Sequence, residues 1–112
     1  MKQIIAIPAS RNCLCQHFGH CKQFAIFETE NNEITGEKYL NPPPHEPGVL
    51  PAWLASQGVT HIIAGGMGHR AISLFSQQNI QVFTGAEEKP VRMLAEDFLE
   101  NKLTTGLNTC DH

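Results

Sequence analysis

The sequence predicts an α/β domain, one mixed sheet with helices on its faces. Three observations carry that expectation. At 112 residues the chain suits a single core. In its first half, apolar runs of strand length follow one another, two of them separated by the tight-turn signal Asn31-Asn32. In its second half, strand-like runs alternate with apolar stripes at helical spacing.

Taken in order, Ile4-Ile5-Ala6-Ile7 reads as a buried strand bounded by Pro8. A stretch rich in cysteine and histidine follows, from Ala9 to Gln23. Residues 24–30 form the second strand and residues 34–40 the third, returning as a hairpin with Gly36 as a candidate bulge. Pro42, Pro43, Pro44 and Pro47 end it, since proline cannot donate to a ladder. Leu50, Trp53 and Leu54 give a short helical stripe, with Pro51 in the first turn and Gly58 as the stop. His61-Ile62-Ile63-Ala64 is a buried strand running into Gly65-Gly66-Met67-Gly68. Ala71, Ile72, Leu74 and Phe75 form the next helical stripe, and residues 80–83 the last strand. Pro90 opens a final helix whose apolar residues are Val91, Leu94, Ala95, Phe98 and Leu99. Locally paired strands followed by alternating helix and strand place the first strand centrally, beside the fourth, with the second antiparallel to its neighbours. His61 is expected to be a hydrogen-bonded core residue, and Trp53 and Phe75 core rather than a stacking platform.

Charge and hydropathy narrow the function. Eight basic against eleven acidic side chains, a net charge of −3, argue against a nucleic-acid partner, whose binding relies on clustered Lys and Arg. No apolar run approaches the roughly 20 residues that cross a bilayer, so no membrane partner is expected. Met1 to Ser10 does not read as a secretory signal, and a cytoplasmic, single-domain protein is expected over residues 1–112.

The cysteines and histidines are unevenly spread. Seven of the ten occupy two windows totalling twelve positions: Cys13, Cys15, His17, His20 and Cys21, then Cys110 and His112. Thiolate and imidazole are the donors that select iron–sulfur clusters, zinc and copper. Cys13-x-Cys15 is tighter than zinc-finger spacing, which shifts weight from a closed zinc staple toward a cluster or an exchangeable metal site. The tail from residue 102 reaches the loop only if it runs back along the fold. Gly65-Gly66-Met67-Gly68-His69-Arg70 is a strand-to-helix turn that suits an anion through its backbone N–H groups, and equally suits tight packing. Both segments leave the carboxyl ends of parallel strands, where open α/β sheets form their sites, and are expected to be neighbours. A zinc-stabilised interaction or regulatory module is the alternative. A thiol redox enzyme using Cys13 and Cys15 ranks last, because no Cys-x-x-Cys is present.

The sequence also resembles the dinitrogenase iron–molybdenum cofactor biosynthesis family, the group of NifX, the cofactor-binding part of NafY and the C-terminal domain of NifB. The resemblance is carried by His17-Phe18-Gly19-His20 before residues 24–27, by residues 58–68, by residues 79–85, and by the Cys110-x-His112 ending. It implies a ribonuclease H-like, three-layer fold, a five-stranded mixed sheet of order 3-2-1-4-5 with strand 2 antiparallel. It also implies binding, carriage or assembly of an iron–sulfur cluster or iron–molybdenum cofactor precursor by a non-enzymatic protein related to nitrogen fixation. The partners implied are proteins that donate and accept the metallocluster. The family's cofactor-binding histidine falls on His17, and Phe18, Gly19, Gly65, Gly66, Met67, Gly68 and His69 are the accompanying cofactor-binding candidates. Cys13, Cys15 and Cys21 depart from many members and suggest a thiolate-rich subgroup. A nuclease is not expected, because the first strand has no carboxylate to hold hard metal ions.

Overall fold

A computed structural model describes residues 2–10, 13–15, 23–42 and 49–100. The elements are β1 (Lys2–Ser10), β2 (Cys13–Leu14), β3 (Gln23–Glu30), β4 (Glu33–Leu40), α1 (Val49–Ser56), β5 (His61–Ile63), α2 (His69–Gln77), β6 (Gln81–Phe83) and α3 (Val91–Leu99). The sheet runs β4-β3-β1-β5-β6, with β2 paired to β1 off this path. β5 and β6 lie parallel to β1, and β3 is antiparallel to both β1 and β4.

The two-residue period of the strands divides the core into two layers. Ile5, Ile7, Ala25, Phe27 and Ile63 pack against Val91, Leu94, Ala95 and Leu99 of α3. Ala6, Phe24, Ile26 and Ile62 pack against Leu50 and Leu54 of α1 and Phe75 of α2. Helices therefore cover both faces of the sheet. Phe75 is fully buried, as expected, and Trp53 is half-buried against the same core, edge-on to Phe24 with ring centroids 6.1 Å apart.

Three local features differ from the sequence expectation. β1 continues through Pro8 to Ser10. The β1 residues of Pro8's parity point their backbone groups toward β5, as Ile4 does in accepting from Thr60 N–H. The β1–β5 ladder ends at Ala6 and Ile62, so the N–H that proline lacks breaks no bond to β5, and opposite Cys15 the proline still accepts through its carbonyl. The bulge in β4 is at Thr35, where the register shifts between Glu28 and Thr29, and not at Gly36. It reverses the parity of the strand, turning both Ile34 and Glu37 to the α3 face, where Arg92 Nη1 donates to Glu37 Oε1 at 2.6 Å. The third feature is β2, which the loop reading of residues 9–23 did not contain.

Sharp turns set the remaining geometry. Asn31 and Asn32 both take positive φ (54° and 64°), the form that suits a two-residue hairpin loop. α1 and α2 end in matching Schellman caps. Val59 N–H donates to Leu54 O and Gly58 N–H to Ala55 O, and likewise Ile80 N–H to Phe75 O and Asn79 N–H to Ser76 O. In both, the residue after the cap packs back on the helix layer. Gly58 has φ 84°, and a Cβ there would lie 3.2 Å from Ile4 Cδ1. Gly58→Ala should therefore cost about 1–2 kcal/mol in urea unfolding, the scale of a left-handed alanine. Asn79→Gly, at φ 62°, should instead raise stability by about 0.5 kcal/mol.

Candidate functional site

The site forms where β1 and β5 part. They are hydrogen-bonded only as far as Ala6 and Ile62. Beyond that point β5 turns through Gly65–Gly68 into α2, on the α1/α2 face. β2 takes the vacated place beside β1, Ala9 opposite Leu14 and Ser10 opposite Cys13. Cys15 N–H donates to Pro8 O at 2.9 Å and extends this short ladder. On its other side β2 meets the segment leading into α3, with Leu14 N–H donating to Lys89 O at 2.9 Å and Cys13 bridged to Pro90.

Leu14 decides which way the cysteines face. It is fully buried in the α3-side core, worth about 2 kcal/mol by area. By the strand period Cys13 and Cys15 then fall on the opposite face, that of α1 and α2. Counting on from the β1–β5 register puts Ala9 and Ser10 level with Gly65 and Gly66. The cysteine segment and the glycine turn thus share one end of the sheet and one face. Cys13 is a half-buried free thiol. Cys15 is also half-buried and, unlike Cys13, is not a free thiol.

The glycine turn is more packed than its composition suggests. Gly65, Gly66 and Met67 are buried, and Met67 belongs to the α1/α2 core. Gly65 O accepts from Gly85 N–H at 2.7 Å, fastening the turn to the loop that follows β6. The accessible part is Gly68, half-buried at the N-cap of α2, with His69 and Arg70 exposed in its first turn. No acidic residue stands in that turn, so the positive helix end carries two basic side chains and favours a negatively charged neighbour.

Of the other expected site residues, His17, Phe18, Gly19, His20, Cys21, Cys110 and His112 lie outside the described residues. Among the described residues no three of His, Cys, Asp or Glu gather closely enough to hold a metal ion. α3 starts beside Cys13 and carries the chain to the β3–β4 turn, where Glu100, Asn32 and Glu33 line one open pocket. A nine-residue helix is about 14 Å long, so Glu100, the last described residue, lies at the end of the sheet remote from Cys13.

The comparisons with known proteins agree with this architecture. The family model for the dinitrogenase iron-molybdenum cofactor matches residues 1–101. The chain belongs to this family. The match stops short of the Cys110-x-His112 ending, which the sequence resemblance had included. MJ0580 of Methanocaldococcus jannaschii is 36% identical to this family member over 104 residues, covering 88% of this chain and 87% of that one. Among solved structures, PH0822 superposes with a TM-score of 0.85 at 26% identity, covering 92% of this chain and 94% of that chain. The apo form of the orange protein from Desulfovibrio gigas shares the fold, with a TM-score of 0.76 at 19% identity over 95% of this chain and 94% of that chain. No helix among the described residues is long and apolar enough to cross a membrane.

His61 behaves as a core residue, at the amino end of β5 and away from the rim. Its ring lies 5.2 Å from that of Phe98 and 6.2 Å from that of Phe83, and Nδ1 is 2.7 Å from Thr60 Oγ1. Burial pushes its pKa below the ordinary imidazole value of 6.5. The folded protein thus binds this proton less tightly than the unfolded chain. Acidification through the unfolded histidine range should lower stability, with none of this loss above that range. In thermal melts the Tm should fall as pH is taken from 7 to below 6, and should fall less in His61→Phe.

Proposed function

We propose that this protein binds and carries an inorganic cluster of the iron–sulfur or iron–molybdenum cofactor-precursor type, without catalysing a reaction itself. The observation that carries this reading is the placement of Cys13 and Cys15. In a member of a cofactor-biosynthesis family, both fall on the face toward which the glycine turn leads. In their reduced form they offer soft thiolate donors. His17 and Cys21 complete the proposed ligand set, with His20, and with Cys110 and His112 closing the site from the tail. Phe18 and Gly19 shape the approach to His17.

Charge supports the same cargo. Thiolate-ligated clusters are anionic, and the start of α2, with Gly68, His69 and Arg70, offers positive potential on the same face. Gly65, Gly66 and Met67 fix this turn from behind rather than touching the cargo. A site on a short two-residue strand, with donors drawn from separate stretches, suits a carrier that must release what it holds to an acceptor protein. The ribonuclease H-like label implied by the sequence resemblance belongs to this reading as a description of shape. Strand β1 has no carboxylate with which to hold hard metal ions. The protein is proposed to act in the cytoplasm, between proteins that donate and accept the cluster, in a role related to nitrogen fixation.

Anaerobic reconstitution of the reduced protein with iron and sulfide tests the proposal. A visible sulfur-to-iron charge-transfer spectrum is expected, reduced at least about tenfold in Cys13→Ser/Cys15→Ser, since removing thiolate ligands takes away the donors that hold the cluster. A colourless protein holding one zinc, which unfolds when that zinc is chelated, would instead support the zinc-stabilised module.

A further inference from the structure

The formal charges of this chain are confined to part of it. Of 8 basic and 11 acidic side chains, Arg70 alone falls within residues 47–86, more than a third of the sequence. That segment supplies α1, β5, α2 and β6, so α1 and α2 together carry one formal charge. The opposite layer differs. Arg92, Glu96, Asp97 and Glu100 stand on or just after α3, and Glu37 of β4 pairs with Arg92.

A helix laid on a sheet ordinarily turns charged residues to water. The outer positions of α1 are instead Val49, Ala52, Trp53 and Ser56, spaced i, i+3, i+4 and i+7 along one stripe. Ala52 and Ser56 are exposed, and Val49 and Trp53 are half-buried. On α2, Ser73, Ser76 and Gln77 are exposed and Leu74 is half-buried. Depletion of charge around an aromatic side chain is the composition of an interface core, most of all between identical subunits.

We propose that the α1/α2 layer is a homodimer interface, its occupant a second copy of this chain that presents the same layer. A two-fold interface brings a patch against itself, so any charge within it meets its own sign. The stripe on α1 has none, and Glu96, Asp97 and Glu100 of the α3 layer face away from the contact. A helix that binds a membrane surface presents several Lys or Arg side chains, and a transient protein partner is ordinarily steered by charge. This layer has Arg70 alone for either purpose. The molecule measures 33 × 28 × 25 Å, so one face offers roughly 700–900 Å², about what each partner gives to a standard interface. The inference goes beyond the carrier reading and does not rest on it.

Sedimentation equilibrium of the full chain tests it, in reductant so that intermolecular disulfides do not contribute, over about 1 μM to 1 mM. The mass should rise from one chain to two. Emission from Trp53, the single tryptophan, should shift to shorter wavelength over the same range as its exposed part leaves water. Ala52→Glu adds a charge at an exposed position of α1, and should raise the dimer Kd at least about tenfold with unchanged far-ultraviolet circular dichroism. Met93→Glu, exposed on the outer side of α3, should leave the Kd as in wild type. A single-chain mass at every concentration overturns the proposal. A dimer that forms with Trp53 emission unchanged, a result that needs no variant, also overturns it. So does a Kd weakened by Met93→Glu and not by Ala52→Glu, which would place the contact on α3. No metal enters the test, so each of these results leaves the carrier reading standing.

Discussion

The early parting of β1 and β5 is the constraint on which the rest of the site depends. Their ladder ends at Ala6 and Ile62, at the middle of β1, and the gap above it has to be filled. A backbone left unpaired on that side would lose hydrogen bonds on every second residue. The chain resolves this by folding residues 13–15 back beside β1 and by bringing Lys89 and Pro90 to the other side of that segment. Leu14 then plugs the α3-side core, and its burial dictates the face on which the two flanking cysteines lie. The diversion of β5 toward α2 sets the glycine turn on the same face. One departure from regular pairing thus positions both halves of the candidate site.

The end of the sheet opposite the rim is built for stability. His61 is enclosed by Phe83 and Phe98, and Thr60 Oγ1 accepts from Ile4 N–H, tying β5 to the start of β1. The Thr35 bulge brings Glu37 under Arg92, and Lys89 reaches Glu87 at 3.3 Å and Asp97 at 3.6 Å. These exposed pairs are individually weak, but they fasten α3 to β4 and to the segment that holds β2. The rim, by contrast, rests on backbone bonds and a single buried leucine.

Much of the fold was legible because its signals are local. The spacing of Val91, Leu94, Ala95, Phe98 and Leu99 specifies one buried helix face whatever lies opposite. Gly58 and the asparagine pair at residues 31 and 32 announce turns through their own backbone preferences. Strand β2 was illegible for the opposite reason. Its partners are Ala9 and Ser10 on one side and Lys89 and Pro90, some 75 positions away, on the other, and two residues cannot show a period. Pro8 misled for a related reason, since the β1–β5 ladder has already ended at Ala6 and the proline carbonyl still accepts from Cys15 N–H. At Gly36 composition suggested a bulge that strand register placed one residue earlier. The glycine turn was read correctly as a special segment, but the burial of Gly65, Gly66 and Met67 depends on Gly85 and the α1/α2 core, which no local pattern shows.

Nuclear magnetic resonance of the reduced, isotope-labelled protein titrated with cobalt(II) tests most directly whether the two segments share one inorganic site. A paramagnetic ion broadens amide signals by proximity alone. The amides of Cys13, Cys15 and Gly66 through Arg70 should broaden together at the first equivalents of cobalt, while Asn31, Asn32 and Glu100 at the far end of the sheet stay sharp. Broadening centred on the far end, or on the cysteines with the glycine turn unaffected, would contradict the account.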